Sequence, residues 1–174
     1  MAEVFVASRL TMARTLRGLT AIALAGQADV TPEWLSKVER GRMTPSNELV
    51  KRLAKELDFP VEFFHRDSVQ LPSTEAFHFR ASSKLALKDE TAARALASLA
   101  CELSEWLDRT YKLPIPGIPE IQEIAEADVE TTPDVAPEAL RSFWGLGTAP
   151  IGNMIALLEA KGARIFPLTV RTKL

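Results

Sequence analysis

Between Thr31 and Ser46 the chain reads TPEWLSKVERGRMTPS. The chemistry available there is recognition by hydrogen bond and charge. Lys37 can donate to guanine O6 and N7, and Glu33 can accept from cytosine N4. Pro32 and Trp34 can lie against a thymine methyl or a sugar-phosphate edge. Arg40 and Arg42 can pair with phosphate. Ser46 opens another helix, and backbone amides at a helix N-terminus bind phosphate well. The same residues also admit plainer roles. Trp34 can be a core residue, Glu33 can complement a helix N-terminus, and the two arginines can belong to a solvated basic loop.

These side chains need short helices to hold them. Val6–Arg17 carries apolar residues at Leu10, Ala13 and Leu16, with Arg9, Arg14 and Arg17 elsewhere on its surface, and Gly18 stops it. Thr20 caps a second helix, Ala21–Gln27. Ala28, Asp29 and Val30 make a turn. Thr31 caps the next helix, and Pro32 takes its first position, where a missing N–H costs nothing. This helix runs to Glu39 and ends at Gly41. Thr44-Pro45-Ser46 precedes a helix over Asn47–Leu57 with Leu49, Val50, Leu53, Ala54 and Leu57 on one face. Pro60 opens a fifth, short helix containing Phe63 and Phe64.

Two short helices joined by a tight turn and framed by supporting helices make the helix-turn-helix layout. The stretch from Arg9 to Phe64 resembles the lambda-repressor/Cro-like family of regulators, through Leu10, Ala13, Arg14, Gly18, Leu19, Thr20, Leu24, Ala25, Val30, Leu35, Ser36, Glu39, Gly41, Pro45, Ser46, Leu53 and Ala54. The resemblance implies that Thr31–Gly41 is the recognition helix and its turn. It places Pro32, Glu33, Trp34 and Lys37 at the major groove, with Leu35 and Val38 turned into the core. It also implies an internal ion pair between Arg14 and Glu39. One departure stands out: the family often has Gln after the Thr that opens the second helix, to touch a phosphate, and here that residue is Ala21. With Thr31, Arg40, Arg42 and Ser46, these groove-facing residues form the first candidate DNA-binding set.

Net charge is −2 over 174 residues, but it is unevenly distributed. Residues 1–66 carry +2, 67–112 carry −1, 113–140 carry −7 with no base, and 141–174 carry +4. DNA binding depends on local positive patches rather than on the total. The basic end reads as a helix at Pro137–Trp144, a Gly-containing turn, a helix at Pro150–Lys161, and one or two strands within Ala163–Val170. A second helix-turn-helix with a short β wing is one reading. It would bring Asn153, Arg164, Lys161, Arg171 and Lys173 to DNA. A plain helical packing domain with snorkelling bases is the other.

Upstream, RDSVQLPSTEA after His65 reads as a linker, Phe77–Ser82 as a short extended piece, and Lys88–Lys112 as a long helix. Its apolar stripe is Ala92, Ala95, Leu96, Leu99, Leu103, Trp106 and Leu107, and Cys101 on it is expected to be a small buried hydrophobe. LPIPGIP at Leu113–Pro119 must break the helix. A short acidic helix is expected at Glu120–Ala127. FRASSK, the long helix and LRSFWGLGTAPIGNMIALLEAKGARIF resemble the segment before the catalytic core of ImmA/IrrE-type zinc peptidases, many of which carry the same N-terminal helix-turn-helix. That family's active-site mark is H-E-x-x-H on a helix. His65 and His78 are the only histidines, and neither sits in such a motif. The resemblance therefore implies a regulator architecture without peptidase activity.

Hydrophobic residues at 47% and charged residues at 25% are ordinary for a soluble globular protein. One cysteine allows no internal disulfide. No stretch reaches the roughly 18 apolar residues of a membrane span, and no signal peptide is read at residues 1–10, so a cytoplasmic location is expected. No Ser-His-Asp set, phosphate-cradling glycine loop or metal cluster is read, so no enzyme activity and no cofactor are expected. The fold expected is mainly α. It has a five-helix helix-turn-helix domain at residues 1–66, a linker at 67–76, and a long helix leading into a small helical domain at 77–174. The function expected is a transcriptional repressor bound to double-stranded operator DNA, as a monomer with two modules or as a homodimer, with no small-molecule ligand evident. Two alternatives stand beside it: the regulatory part of a zinc peptidase, and an antitoxin-like module binding DNA and protein.

Overall fold

The computed structural model describes residues 4–68, 87–120 and 135–167. It is helical, with no strand among the described residues. They divide into two compact units, residues 4–105 and 106–167.

In the first unit, α1 spans Ala7–Leu16, α2 Ala21–Gln27, α3 Pro32–Glu39 and α4 Asn47–Leu57, followed by a 3-10 turn at Val61–His65. Each start has a local cause. Thr20, Thr31 and Ser46 accept backbone N–H bonds from Ala23, Trp34 and Leu49 at 3.1, 3.2 and 3.4 Å, which satisfies one orphan donor per helix. The ends also share one device. After α2, the N–H of Asp29 donates to Gly26 O and that of Val30 to Ala25 O, the paired bonds of a Schellman motif. Asp29 supplies the left-handed residue at φ +53°, a conformation that Asp tolerates better than most side chains. After α3, Gly41 and Arg42 close on Val38 O and Lys37 O in the same way.

Apolar positions spaced three and four apart bring the core together. Leu10, Leu24, Ala25, Leu35, Val38, Leu53, Leu57 and Phe64 are all essentially inaccessible. Phe59, Phe63 and Phe64 pack on one another in tilted and edge-to-face pairs, and their segment packs against α4. The N–H of Val6 donates to Phe64 O at 2.8 Å and ties the start of α1 to this aromatic group.

The long helix α5 covers Leu87–Thr110, within two residues of the expected bounds. Its first part belongs to the N-terminal unit: Ala95 joins that core, Leu99 packs on it and Ser98 is fully buried. The sequence-based boundary at residue 66 would have grouped this part with the C-terminal half. The expected stripe therefore serves as a core face only at its start. Leu103 and Trp106 are 45% and 49% exposed. Cys101 is exposed rather than buried, because the inward positions on this helix are Ala95, Ser98 and Glu102.

In the second unit, α6 covers Ala136–Phe143 and α7 covers Met154–Ala160. α7 begins four residues later than expected because Asn153 caps it, accepting from Ala156 N–H at 3.0 Å. The Pro-rich run 113–119 ends α5 and then organises the unit. The N–H of Gly117 donates to Lys161 O at 2.9 Å, and Gly117 O accepts from the Trp144 indole at 3.2 Å. Gly162 sits at φ +85° so close to the run that a Cβ there would lie 2.5 Å from Ile115 O. No strand pairs the described residues 163–167, so the expected β wing is absent there. The rest of it, the extended piece at Phe77–Ser82 and most of the linker and of the acidic helix lie outside the described residues.

Candidate nucleic-acid interface

α2 and α3 pack on each other, and α1 also packs on α3. The four-residue connection between α2 and α3, Ala28 to Thr31, is fixed by the Asp29 conformation and the two closing bonds described above. Leu35 and Val38 point inward and are fully buried, as expected from the family register. That orientation turns Pro32, Glu33 and Lys37 outward, all exposed. Two short helices with this turn, the second presenting a polar face, make the arrangement that docks in a major groove.

Residues 6–62 form a helix-turn-helix domain. They match the family model described as a helix-turn-helix domain. No curated protein and no solved structure matches the chain.

Six of the nine basic residues of the helix-turn-helix domain fall into two groups; the other three, Lys51, Arg52 and Lys55, are exposed on α4. Arg9, Arg14 and Arg17 were expected on the surface of α1, with Arg14 paired to Glu39, and the fold engages all three through partners of its own. Arg9 is 2% exposed. Its Nη1 and Nη2 donate to Glu102 Oε2 and Oε1 at 2.8 and 3.0 Å, and its Nε donates to Asp67 O at 2.9 Å. Its guanidinium also lies 5.0 Å over the Phe63 ring. Arg14 makes the implied ion pair, donating to the two Glu39 carboxylate oxygens at 2.6 and 3.1 Å. Arg17 donates to Leu57 O and Asp58 O at 2.6 and 2.7 Å and caps the C-terminus of α4.

The second group faces outward. Lys37, Arg40 and Arg42 are exposed, and among the described residues their side chains have no ion-pair or hydrogen-bond partner. They lie on α3 and in the turn after it, next to the α4 N-terminus that Ser46 caps. Trp34 stands between the two expected roles. It packs on the core but keeps an accessible edge, and its indole N–H has no protein acceptor among the described residues. Thr31 and Ser46 use their side-chain oxygens as caps.

Sequence reasoning missed Arg52. From α4 it donates to Ala28 O at 3.1 Å and caps the C-terminus of α2. Its spacing within an otherwise exposed face of α4 gave no signal for this role.

The second-unit candidates are placed differently. Arg164 donates to Asp108 Oδ1 at 2.7 Å and to Gly162 O at 3.1 Å, with its side chain 19% exposed. Asn153 is exposed, with its carbonyl oxygen engaged as the cap of α7. The Lys161 ammonium lies 5.6 Å over the Trp144 ring. Arg171 and Lys173 lie outside the described residues. His65 is half-buried, edge-on to Phe5 at 6.4 Å.

Proposed function

We propose that this chain is a sequence-specific transcriptional repressor, of the kind that keeps a temperate phage or mobile element silent. It occupies double-stranded operator DNA with α3 in the major groove and blocks polymerase access. The observation that carries this reading is the division of the cations. Arg9, Arg14 and Arg17 are engaged by partners within the fold, while Lys37, Arg40 and Arg42, on the recognition helix and its turn, have no partner among the described residues. Lys37 reads guanine, Glu33 cytosine, and Arg40, Arg42 and the α4 N-terminus hold phosphates. The phage or mobile-element setting rests on family resemblance, since the fold by itself does not specify it. No catalytic step is part of this reading.

The second unit supports a DNA contact less well. Arg164, one of the four bases expected to reach DNA there, is internally paired, and Phe143, Met154 and Ile155 are more than half or about half exposed where a DNA surface would be polar. The reading therefore favours a homodimer over a monomer with two DNA modules.

Selection of binding sites from random DNA tests the proposal. One enriched motif with dyad symmetry is the expected result. Retention of DNA with no enriched motif would contradict sequence-specific repression, and an asymmetric motif longer than one groove would restore the two-module arrangement.

A further inference from the structure

The N-terminal unit holds a cavity of about 360 Å³ between α1 and α5, with Glu39 from the end of α3 at its margin. This is within the size range of small-molecule pockets. Positions 8, 11, 12 and 15 recur on one face of α1, and all four line it. Met12 and Ala95 supply apolar wall, and the lining is mostly apolar. The hydroxyls of Ser8 and Thr15 have no protein partner among the described residues. The Thr11 hydroxyl reaches only Ala7 O, at 3.5 Å. The two charged groups at the cavity, Glu39 and Arg94, have opposite sign, so the lining favours no net ion.

We infer that this cavity binds a small, uncharged, mainly apolar effector carrying one or two oxygen groups, and that its occupancy alters DNA binding. The hydroxyls supply donors and acceptors for the oxygens, and the apolar wall takes the rest. The coupling follows from Glu39. This residue ends the recognition helix, lines the cavity and is held by both ends of the Arg14 guanidinium fork. A ligand seated there touches the ion pair that anchors α3. It also touches α5, which Arg9 and Glu102 hold to the same unit. The coupling half of this inference rests on the DNA-binding reading; the binding half does not.

The probe is 2-phenylethanol, titrated into the full chain without DNA and followed by backbone amide NMR, with phenylacetate as a charged control. Saturable shifts confined to the α1 face, Glu39 and Thr91–Ala95 are expected, with phenylacetate binding more weakly. Thr15→Val removes a hydroxyl at nearly constant shape and should weaken the alcohol on the order of tenfold. Ala95→Leu should fill the cavity and abolish binding. If it fails to fold, Ser8→Leu at the exposed mouth replaces it. Scattered shifts, or binding indifferent to both changes, would overturn the site. A second arm measures affinity for the selected operator at saturating alcohol, where a change of severalfold is expected. Cavity shifts with unchanged operator affinity would overturn the coupling. Failure of the DNA-binding reading would show separately, as absence of any enriched motif with the cavity shifts intact.

Discussion

Arg42 and Glu39 lie within four residues of each other, yet their loss should act by different routes. Arg42 is exposed and has no protein partner among the described residues, so Arg42→Ala should leave stability within about 0.5 kcal/mol. It should instead weaken binding to all DNA sequences alike and reduce the slope of log affinity against log salt by about one. A salt titration of specific and random duplexes measures both effects. Glu39 faces Arg14 with side chains only 12% and 18% exposed. Glu39→Ala leaves a largely enclosed guanidinium without its counter-charge, at a cost of about 2–3 kcal/mol, below the full buried-pair range because some solvent reaches it. A lower denaturant midpoint at unchanged slope is the expected sign. DNA affinity should then fall through loss of folded protein and of α3 anchoring, not through loss of a phosphate contact.

Helix α5 is attached to the N-terminal unit by a cluster whose pH behaviour can be worked out. The Arg9 guanidinium, bonded to both carboxylate oxygens, holds the Glu102 carboxyl below the usual carboxylate range, against a partial burial that pushes the other way. Arg66 adds a weaker attraction at 3.6 Å. Because the folded value is lowered, the stabilisation is present above the ordinary Glu value and is lost as pH falls through the folded one. Glu102→Gln should therefore be less stable than the parent at pH 7, with the gap closing below about pH 4, measured by denaturation at several pH values. Gly162→Ala tests the second unit. A Cβ at φ +85° would meet the Ile115 carbonyl, so amide signals around Leu113–Pro119 and Lys161–Arg164 should shift or broaden. The helix starts were legible because their causes are local: Thr20, Thr31 and Ser46 cap within three residues, and Gly18 and Gly41 close the ends. The recognition-helix register was legible too, through Leu35 and Val38. The Arg9–Glu102 pair joins residues 93 apart, and no spacing rule brings them together. The same contact directs Glu102 inward and so exposes Cys101, which was expected to be buried as a small hydrophobe on this Ala- and Leu-rich helix. Residues 163–167 form no part of a wing for a related reason: alternation signals a strand only where a partner edge exists, and these residues have none among the described residues.

As a whole molecule the chain joins a well-filled unit to a loosely filled one. Residues 4–105 contain the apolar core, whereas no apolar side chain of residues 106–167 is fully buried among the described residues. The second unit is held by polar closures at Gly117, Trp144, Lys161 and Arg164. Hydrogen exchange should therefore be faster in α6 and α7 than in α1 to α4. Equal protection would mean that the second unit is stabilised by contacts beyond those described. Truncation at residue 72 should destabilise the helix-turn-helix domain, since Arg9 then loses Glu102 and the core loses Ala95. A fragment of residues 1–72 that bound DNA weakly would thus report instability before it reported a missing second module, and its denaturation midpoint separates the two. Function at this scale depends on whether the unpaired face of α3 reads bases. The most direct measurement is site selection from random DNA by the parent and by Lys37→Ala in parallel. The account predicts one motif for the parent. It predicts the same motif for the variant with preference relaxed at a single guanine position and specific binding weaker by about 1–3 kcal/mol. An unchanged motif and unchanged affinity for Lys37→Ala would contradict it.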